Sequence, residues 1–414
     1  TELRQLTGLD NPNSNQQLQS WLQAQGVACY DLQAATVTRL LEDPQLPDKA
    51  RQALELKQQL AKSSVSKYVV LDAATAADGR IRGTLQYLGA SRTGRWAGRL
   101  LQPQNFPRPA KGINVDAIID ALITDQPIVR PLHALAAALR GTIAAGKSNT
   151  LVVADLAGIE GRVLPWACGF QYKLDQIRAG RDMYKVAAAG IYHCDYEEVD
   201  SDMRFVGKVC ELALGYAGGI GALNTMATAY GLPPYDDAVG KPIVDAWRAV
   251  NQPIVRFWAD CQRAAKLALS NRGRIYNAGC LSFVTDQHFL QLTLPSGRVL
   301  YYFQPLFDEE NNLTFMGVDP YTHKWGRVRT YSGKIVENAI QAISRDILAT
   351  NMPHVEAAGF KIVTSIHDEL LTEQRTAKKY SAEALCRLMT RVPAWAQGLP
   401  LNATGYTAAR YRKG

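Results

Sequence analysis

Two short apolar runs stand far apart in the chain, and each stops at an acid. Leu151-Val152-Val153-Ala154 stops at Asp155, and Phe360-Lys361-Ile362-Val363-Thr364-Ser365-Ile366 runs into His367-Asp368-Glu369. Runs of this length, rich in β-branched residues, read as strands. A strand that delivers a carboxylate to its end holds that group rigidly beside a partner strand. Two such groups can hold a pair of divalent cations about 4 Å apart and stabilise the attacking and leaving oxygens of a phosphoryl transfer. Taken singly, an aspartate at a strand end is ordinarily a cap or a turn residue. The stronger expectation is that Asp155 and Asp368, separated by more than half the molecule, meet at one site.

Around these runs the chain alternates in character. Residues 1–65 read mostly as helix, with Asn11-Pro12-Asn13-Ser14 as a capped turn and a Gln-, Leu- and Lys-rich helical pattern from Arg51 to Lys62. Tyr68-Val69-Val70-Leu71 and Ile81-Arg82-Gly83-Thr84-Leu85 read as extended, and residues 115–145 as Ala- and Leu-rich helix. Residues 170–270 read as largely helical, 272–305 as strands around the turn Pro295-Ser296-Gly297, and 333–350 as helix again. This order indicates an α+β protein in which helical parts flank a mainly antiparallel sheet.

A further pattern sits on the helix that starts near Met203. Arg204, Lys208, Leu212 and Tyr216 recur every four residues. Such a spacing drifts only about 40° per step, so all four share one face. Two cations, an apolar group and a ring then follow one another along a surface, an order that suits a triphosphate and a base. An ordinary basic helix face gives the same spacing. Gly215, Gly218, Gly219 and Gly221 follow and point to close backbone approach.

Together these segments carry a family resemblance. Asp155-Leu156-Ala157-Gly158-Ile159-Glu160-Gly161-Arg162 resembles motif A of the family A (DNA polymerase I-like) DNA polymerases. Arg204 to Lys208, continuing to Leu212 and Tyr216, is similar to motif B, and His367-Asp368-Glu369 to motif C. Thr93-Gly94-Arg95 with Gln104-Asn105, and the segment holding Asn338 and Gln341, resemble parts that touch primer–template DNA. Leu214-Gly215-Tyr216-Ala217-Gly218-Gly219 and Arg410-Tyr411-Arg412-Lys413 look most like the bacteriophage-type branch.

The resemblance implies a right-hand fold, with thumb 1–65, palm 66–165 and 331–414, and fingers 166–330. It implies a DNA-directed DNA polymerase that joins deoxynucleoside triphosphates to a primer 3′-hydroxyl on primer–template DNA. Two Mg2+ ions, with Mn2+ as a substitute, would be held by Asp155 and Asp368, with Glu369 as an auxiliary carboxylate. Arg204 and Lys208 would neutralise the triphosphate, and Lys208 would give a proton to the leaving pyrophosphate. Leu212 would face the sugar, Tyr216 would sit by the templating base, and Glu160 would exclude a ribose 2′-hydroxyl. Arg95, Gln104, Asn105, Arg162, Asn338, Gln341 and His367 would contact DNA, with Lys62 and Lys67 as further phosphate contacts.

Departures from the family pattern are also visible. Leu212 stands where an aromatic residue is usual, Ala157-Gly158 replaces Ser-Gln, and Asn338 and Gln341 are one residue closer than in the bacterial enzymes. No exonuclease segment is visible in this sequence, which starts at what resembles the thumb. A formal net charge of +8 suits a polyanionic partner. The seven cysteines form no Cys-x-x-Cys pair, which argues for a reducing compartment and against a structural zinc site. With no membrane-spanning run, a monomer in the cytoplasm (of a host, for a phage protein) is the expectation. A single-subunit RNA polymerase and an inactive DNA-gripping paralogue are the competing readings.

Overall fold

Apolar residues at helical spacing dominate the start of the chain, and the computed structural model builds that region from helices. It describes residues 2–12, 14–29, 31–32, 34–60, 66–109, 112–319 and 322–412. Two units result: Thr1–Thr84 with Gly98–Ala144 and Arg410–Gly414, and Leu85–Ala97 with Ala145–Ala409. The first unit contains α1 (Glu2–Thr7), α2 (Asn15–Ala24), α3 (Ala34–Glu42), α4 (Asp48–Leu60), α5 (Ser66–Ala74), α6 (Val115–Ile123) and α7 (Pro131–Ala138). Ser14 caps α2 by accepting from the Gln17 N–H. Leu18, Leu22, Val37, Ala50 and Leu54 form one small core, and Leu101, Phe106 and Leu139 another.

Two expectations fail in this unit. Tyr68–Leu71 is not a strand but the middle of α5. The β-branched pair Val69-Val70 costs a helix little, whereas Tyr68 and Leu71, three residues apart, both pack on the Leu101–Phe106–Leu139 core. The Tyr68 hydroxyl also donates to the Leu135 carbonyl at 2.8 Å. Residues 115–145 are not one helix either. The chain turns between α6 and α7, where Asp125 and Arg130 take positive φ.

The second unit opens with a strap, Leu85–Ala97, bounded by the paired β1 (Leu85–Gln86) and β2 (Ala97–Gly98). Only the last residue of the extended run expected at Ile81–Leu85 is in a strand. After β3 (Asn149–Leu156) come α8 (Ile159–Ala167), α9 (Gln171–Arg178), α10 (Met183–Tyr192), α11 (Ser201–Leu214), α12 (Ile220–Ala229), α13 (Asp237–Val250) and α14 (Gln252–Ser270).

An antiparallel meander follows: β4 (Tyr276–Ala278), β5 (Leu281–Thr285), β6 (Phe289–Thr293), β7 (Val299–Phe307), β8 (Leu313–Val318) and β9 (Trp325–Arg329). It runs well past the 272–305 expected for strand, because β8 and β9 continue the ladder. The chain closes with α15 (Ser332–Ala357), β10 (Ile362–Ile366), β11 (Glu369–Arg375), α16 (Ala382–Met389) and β12 (Ala403–Ala408).

The sheet that matters for the site has the order β10-β11-β3-β12, antiparallel throughout. As an inner strand β3 is paired on both edges, and its Leu151-Val152-Val153-Ala154 run is wholly buried. That is why it reads as a continuous apolar run rather than an alternating one. At 25 cal/mol per Å2, each such side chain removed from water contributes about 1.5–3 kcal/mol, less for Ala154. Ile335, Val336, Ala339, Ile340 and Ile343 of α15 belong to the same core.

Candidate active site

The ladder between β3 and β11 decides the geometry. Its register sets Asp155 directly opposite Glu369, and the Leu156 N–H donates to the Asp368 carbonyl at 3.1 Å. The two distant acids therefore lie at the same corner of one sheet. β10 turns into β11 through His367 and Asp368, with Ile366 paired to Glu369. His367 takes a φ of 55° there and is exposed, whereas Glu369 is buried.

Charge at this corner is heavily negative. Arg95 Nη2 lies 2.7 Å from Glu160 Oε1 and 3.6 Å from Asp368 Oδ1. Glu160, in the first turn of α8, also accepts from the Tyr216 hydroxyl at 2.7 Å. Burial, and then the Glu160 charge, push the Tyr216 phenol well above its ordinary range, so it stays a donor. Glu160 and Asp368 thus share one guanidinium, and Asp155 and Glu369 are paired in the ladder at the same corner. Like charges set directly opposite in a ladder repel, so the corner is suited to further positive charge. Its donors are oxygens only, the set that magnesium prefers when it keeps waters and substrate phosphates as its other ligands. Among the described residues no group of three or more His, Cys, Asp and Glu side chains could hold a metal by itself.

The second half of the site is α11, whose start is fixed by Asp200 accepting from the Asp202 and Met203 N–H groups. Gly207 allows α10 to lie against it, since a Cβ there would fall 2.2 Å from the Tyr184 carbonyl oxygen. Arg204, Lys208 and Leu212 share a face as expected, and Leu212 is exposed. Tyr216 does not lie on the helix, which ends at Leu214, yet its ring still reaches Glu160 and so ties this segment to α8.

Both cations rest on partners that sequence reasoning missed. Arg204 Nε donates to Asp182 Oδ2 at 2.6 Å, with its guanidinium 5.4 Å from the Tyr184 ring centre. Lys208 Nζ stands 4.1 Å from the centre of the Tyr230 ring. Asp182 is also the cap of α10, accepting from the Tyr184 and Lys185 N–H groups. Burial raises its carboxyl pKa, but Arg204 and the two backbone donors outweigh this and hold it below the usual carboxylate range. Tyr230 carried no local signal.

Beneath α11 lies a buried ion pair. Lys173 Nζ donates to both Glu211 oxygens, at 2.8 and 2.7 Å, and to Asn251 Oδ1 at 3.1 Å. The Trp247 indole N–H donates to Glu211 Oε1 at 2.9 Å.

The residues assigned to DNA contact are dispersed. Arg162 is partly buried and donates to the Ala157 carbonyl at 2.7 Å and the Pro400 carbonyl at 3.1 Å. Asn338 donates to the Tyr302 hydroxyl at 3.2 Å, and Gln341 to Glu337 Oε1 at 3.4 Å. Gln104 and Asn105 lie in a 3-10 turn of the first unit, where Asn105 donates to Gln102. Lys67 is on α5, and Lys62 falls outside the described residues.

No protein-family model matches the chain. Over its full length, however, it is 36% identical to the DNA polymerase of Bacillus phage SP02. The similarity to that phage DNA polymerase runs the whole length of this chain. The chain spans 65% of that relative's length. Its fold is that of the POL domain of Pol1 from M. smegmatis, solved in complex with DNA primer-template and dNTP, with a TM-score of 0.67 and 17% identity. That match covers 99% of this chain and 63% of the solved one. The α+β class expected from the order of helical and extended segments agrees with this fold. No helix among the described residues is long and apolar enough to cross a membrane.

Proposed function

We propose that this chain is a template-directed DNA polymerase. In this reading it extends a primer 3′-hydroxyl with deoxynucleoside triphosphates and releases pyrophosphate. The observation that carries it is the β3–β11 register, which brings Asp155 beside Asp368 and Glu369 in a relative of a phage DNA polymerase. We assign thumb, palm and fingers to 1–65, to 66–165 with 331–414, and to 166–330, and place the protein in a phage-infected host's cytoplasm.

Asp155 and Asp368 hold the metal site, and Glu369, buried behind it, keeps the corner acidic. Two Mg2+ ions, when bound, supply Lewis acidity to the reacting phosphate oxygens. The remaining work belongs to the chain itself. Arg204 and Lys208 accept the charge of the triphosphate, exchanging Asp182 and Tyr230 for phosphate oxygens. Lys208 is the proton donor to the departing pyrophosphate. Glu160, fixed between Arg95 and Tyr216, closes the space a 2′-hydroxyl would need. Arg95 and Gln341 touch minor-groove acceptors that all correct pairs share, a reading of shape rather than sequence, and His367 sits beside the primer end. Catalysis is then mostly positioning and charge neutralisation.

Extension of a labelled primer on a template, with Mg2+ and the four deoxynucleoside triphosphates, tests the reading. Stepwise, template-matched growth is expected. A protein that binds the primer–template but adds nothing to it would overturn the assignment.

A further inference from the structure

Arg95 is set against Glu160 and Asp368 at the carboxylate corner, yet it sits on an irregular strap. The strap has little regular hydrogen bonding of its own: the Thr93 and Gly94 N–H groups donate to the Ala90 carbonyl, and the Ala90 N–H to the Arg95 carbonyl. A guanidinium held to about an ångström needs more support than a short turn supplies.

That support comes from a residue 203 positions later in the sequence (298 minus 95). Arg298 leaves the β6–β7 turn and makes a three-way bridge. Its Nε donates to Asp346 Oδ1 at 2.8 Å, and its Nη2 donates to the Thr93 carbonyl at 2.9 Å and the Ala342 carbonyl at 3.1 Å. Gly94 makes room for it: φ there is +71°, and a Cβ would fall 2.4 Å from Arg298 Nη1. Asp346, on α15 and 5% exposed, is held in turn by the Ser296 hydroxyl at 2.5 Å and by Arg345 at 3.3 Å. Arg345 lies 4.4 Å from the Trp96 ring centre, and Arg92 lies 4.1 Å from that of Phe315. The strap is therefore pinned on both sides of Arg95, with Arg298 fastened to the carbonyl two residues before it.

We propose that Arg298, locked to Asp346, is a positioning residue that sets the Arg95 guanidinium against Glu160 and Asp368. It touches neither carboxylate and acts only through the strap. A mere core ion pair would need only Asp346; the bonds to the Thr93 carbonyl and the fit against Gly94 serve the strap. Lysine at this position keeps the charge and can satisfy Asp346, but one ammonium cannot hold three acceptors in a planar fork.

The experiment uses the full chain carrying Arg298→Lys, checked by thermal melting to be folded. Its activity arm rests on the polymerase reading; its exchange arm does not. Amide hydrogen exchange at Thr93 and Gly94 is expected to quicken about tenfold in Arg298→Lys, while that of β3 stays unchanged. Unchanged exchange in the strap would overturn the proposal. In single-turnover primer extension, Arg298→Lys alone is expected to slow the step about tenfold, but to add less than about twofold in an Arg95→Ala background. Rate losses that multiply in full would show that Arg298 acts independently of Arg95 and would end the proposal. A wild-type chain that extends no primer would refute the polymerase reading, and the exchange arm would still decide the clamp.

Discussion

The carboxylate corner and the α11 face solve opposite problems with different materials. Strand backbone fixes the acids: the ladder register places Asp155 against Glu369, and one turn delivers Asp368 beside them. The cations extend from a helix and rest on replaceable partners, Asp182 for Arg204 and Tyr230 for Lys208. A site that must present the same negative charge in every cycle is built rigidly. One that must release its partner to take up a polyanion is built on contacts that are cheap to exchange. Half-exposed ion pairs and cation–π contacts are worth about 0.2–1 kcal/mol, so displacing them costs a ligand little.

The contrast can be broken most sharply at the rigid side. Asp155→Asn keeps shape and removes charge, and should lower the extension rate about 10^4-fold, or about 5.4 kcal/mol, with primer–template affinity nearly unchanged. Extension within tenfold of the parent would remove Asp155 from the metal site.

Next comes the support under α11. Lys173→Met strands the Glu211 carboxylate in a buried site and should destabilise the fold by about 3–5 kcal/mol in denaturant unfolding. Lys173→Met with Glu211→Leu should recover most of that loss, and a double variant no better than the single would show that the charges are not what hold these helices together.

Lys208→Ala should reduce the extension rate about 10^2-fold, the range of a positioned proton donor. The deficit should shrink with a nucleotide whose leaving group needs no proton; an equal deficit would reduce Lys208 to a binding residue. Glu160→Ala should raise ribonucleotide use relative to deoxynucleotide use about tenfold, read from the ratio of kcat/KM values. A constant ratio would break the link between the Arg95–Glu160–Tyr216 bonds and sugar choice.

The smallest effect concerns Asp182. Its carboxyl pKa is depressed in the folded chain, so its contribution is present above the ordinary carboxylate range and is lost as pH falls through the folded value. Discounted for exposure, that contribution is a few tenths of a kcal/mol. Asp182→Asn should melt slightly earlier than the parent near neutral pH and together with it in acid. A gap that persists at low pH would mean that the lost interaction is not the charge.

What could be seen in the sequence follows from how local each signal is. The buried strand β3 announced itself because pairing on both edges demands an unbroken apolar run. The α11 face was visible because helical spacing is a property of neighbours along the chain. Asp182, Tyr230 and Arg298 were not, since each acts on a residue that the fold, not the spacing, brings near. Helix α5 was misread because two adjacent valines weigh more in a local reading than the Tyr68 and Leu71 contacts that hold it.

The bonds around Glu211 carry a consequence for motion. Lys173 comes from α9, Trp247 from α13, and Asn251 from the junction of α13 and α14, so α11 is fastened to its neighbours through one desolvated carboxylate. Rolling α11 by itself would tear the buried Lys173 ammonium from that carboxylate. In the proposed polymerase, any swing that carries Arg204 and Lys208 toward a triphosphate would therefore take these helices along as one block.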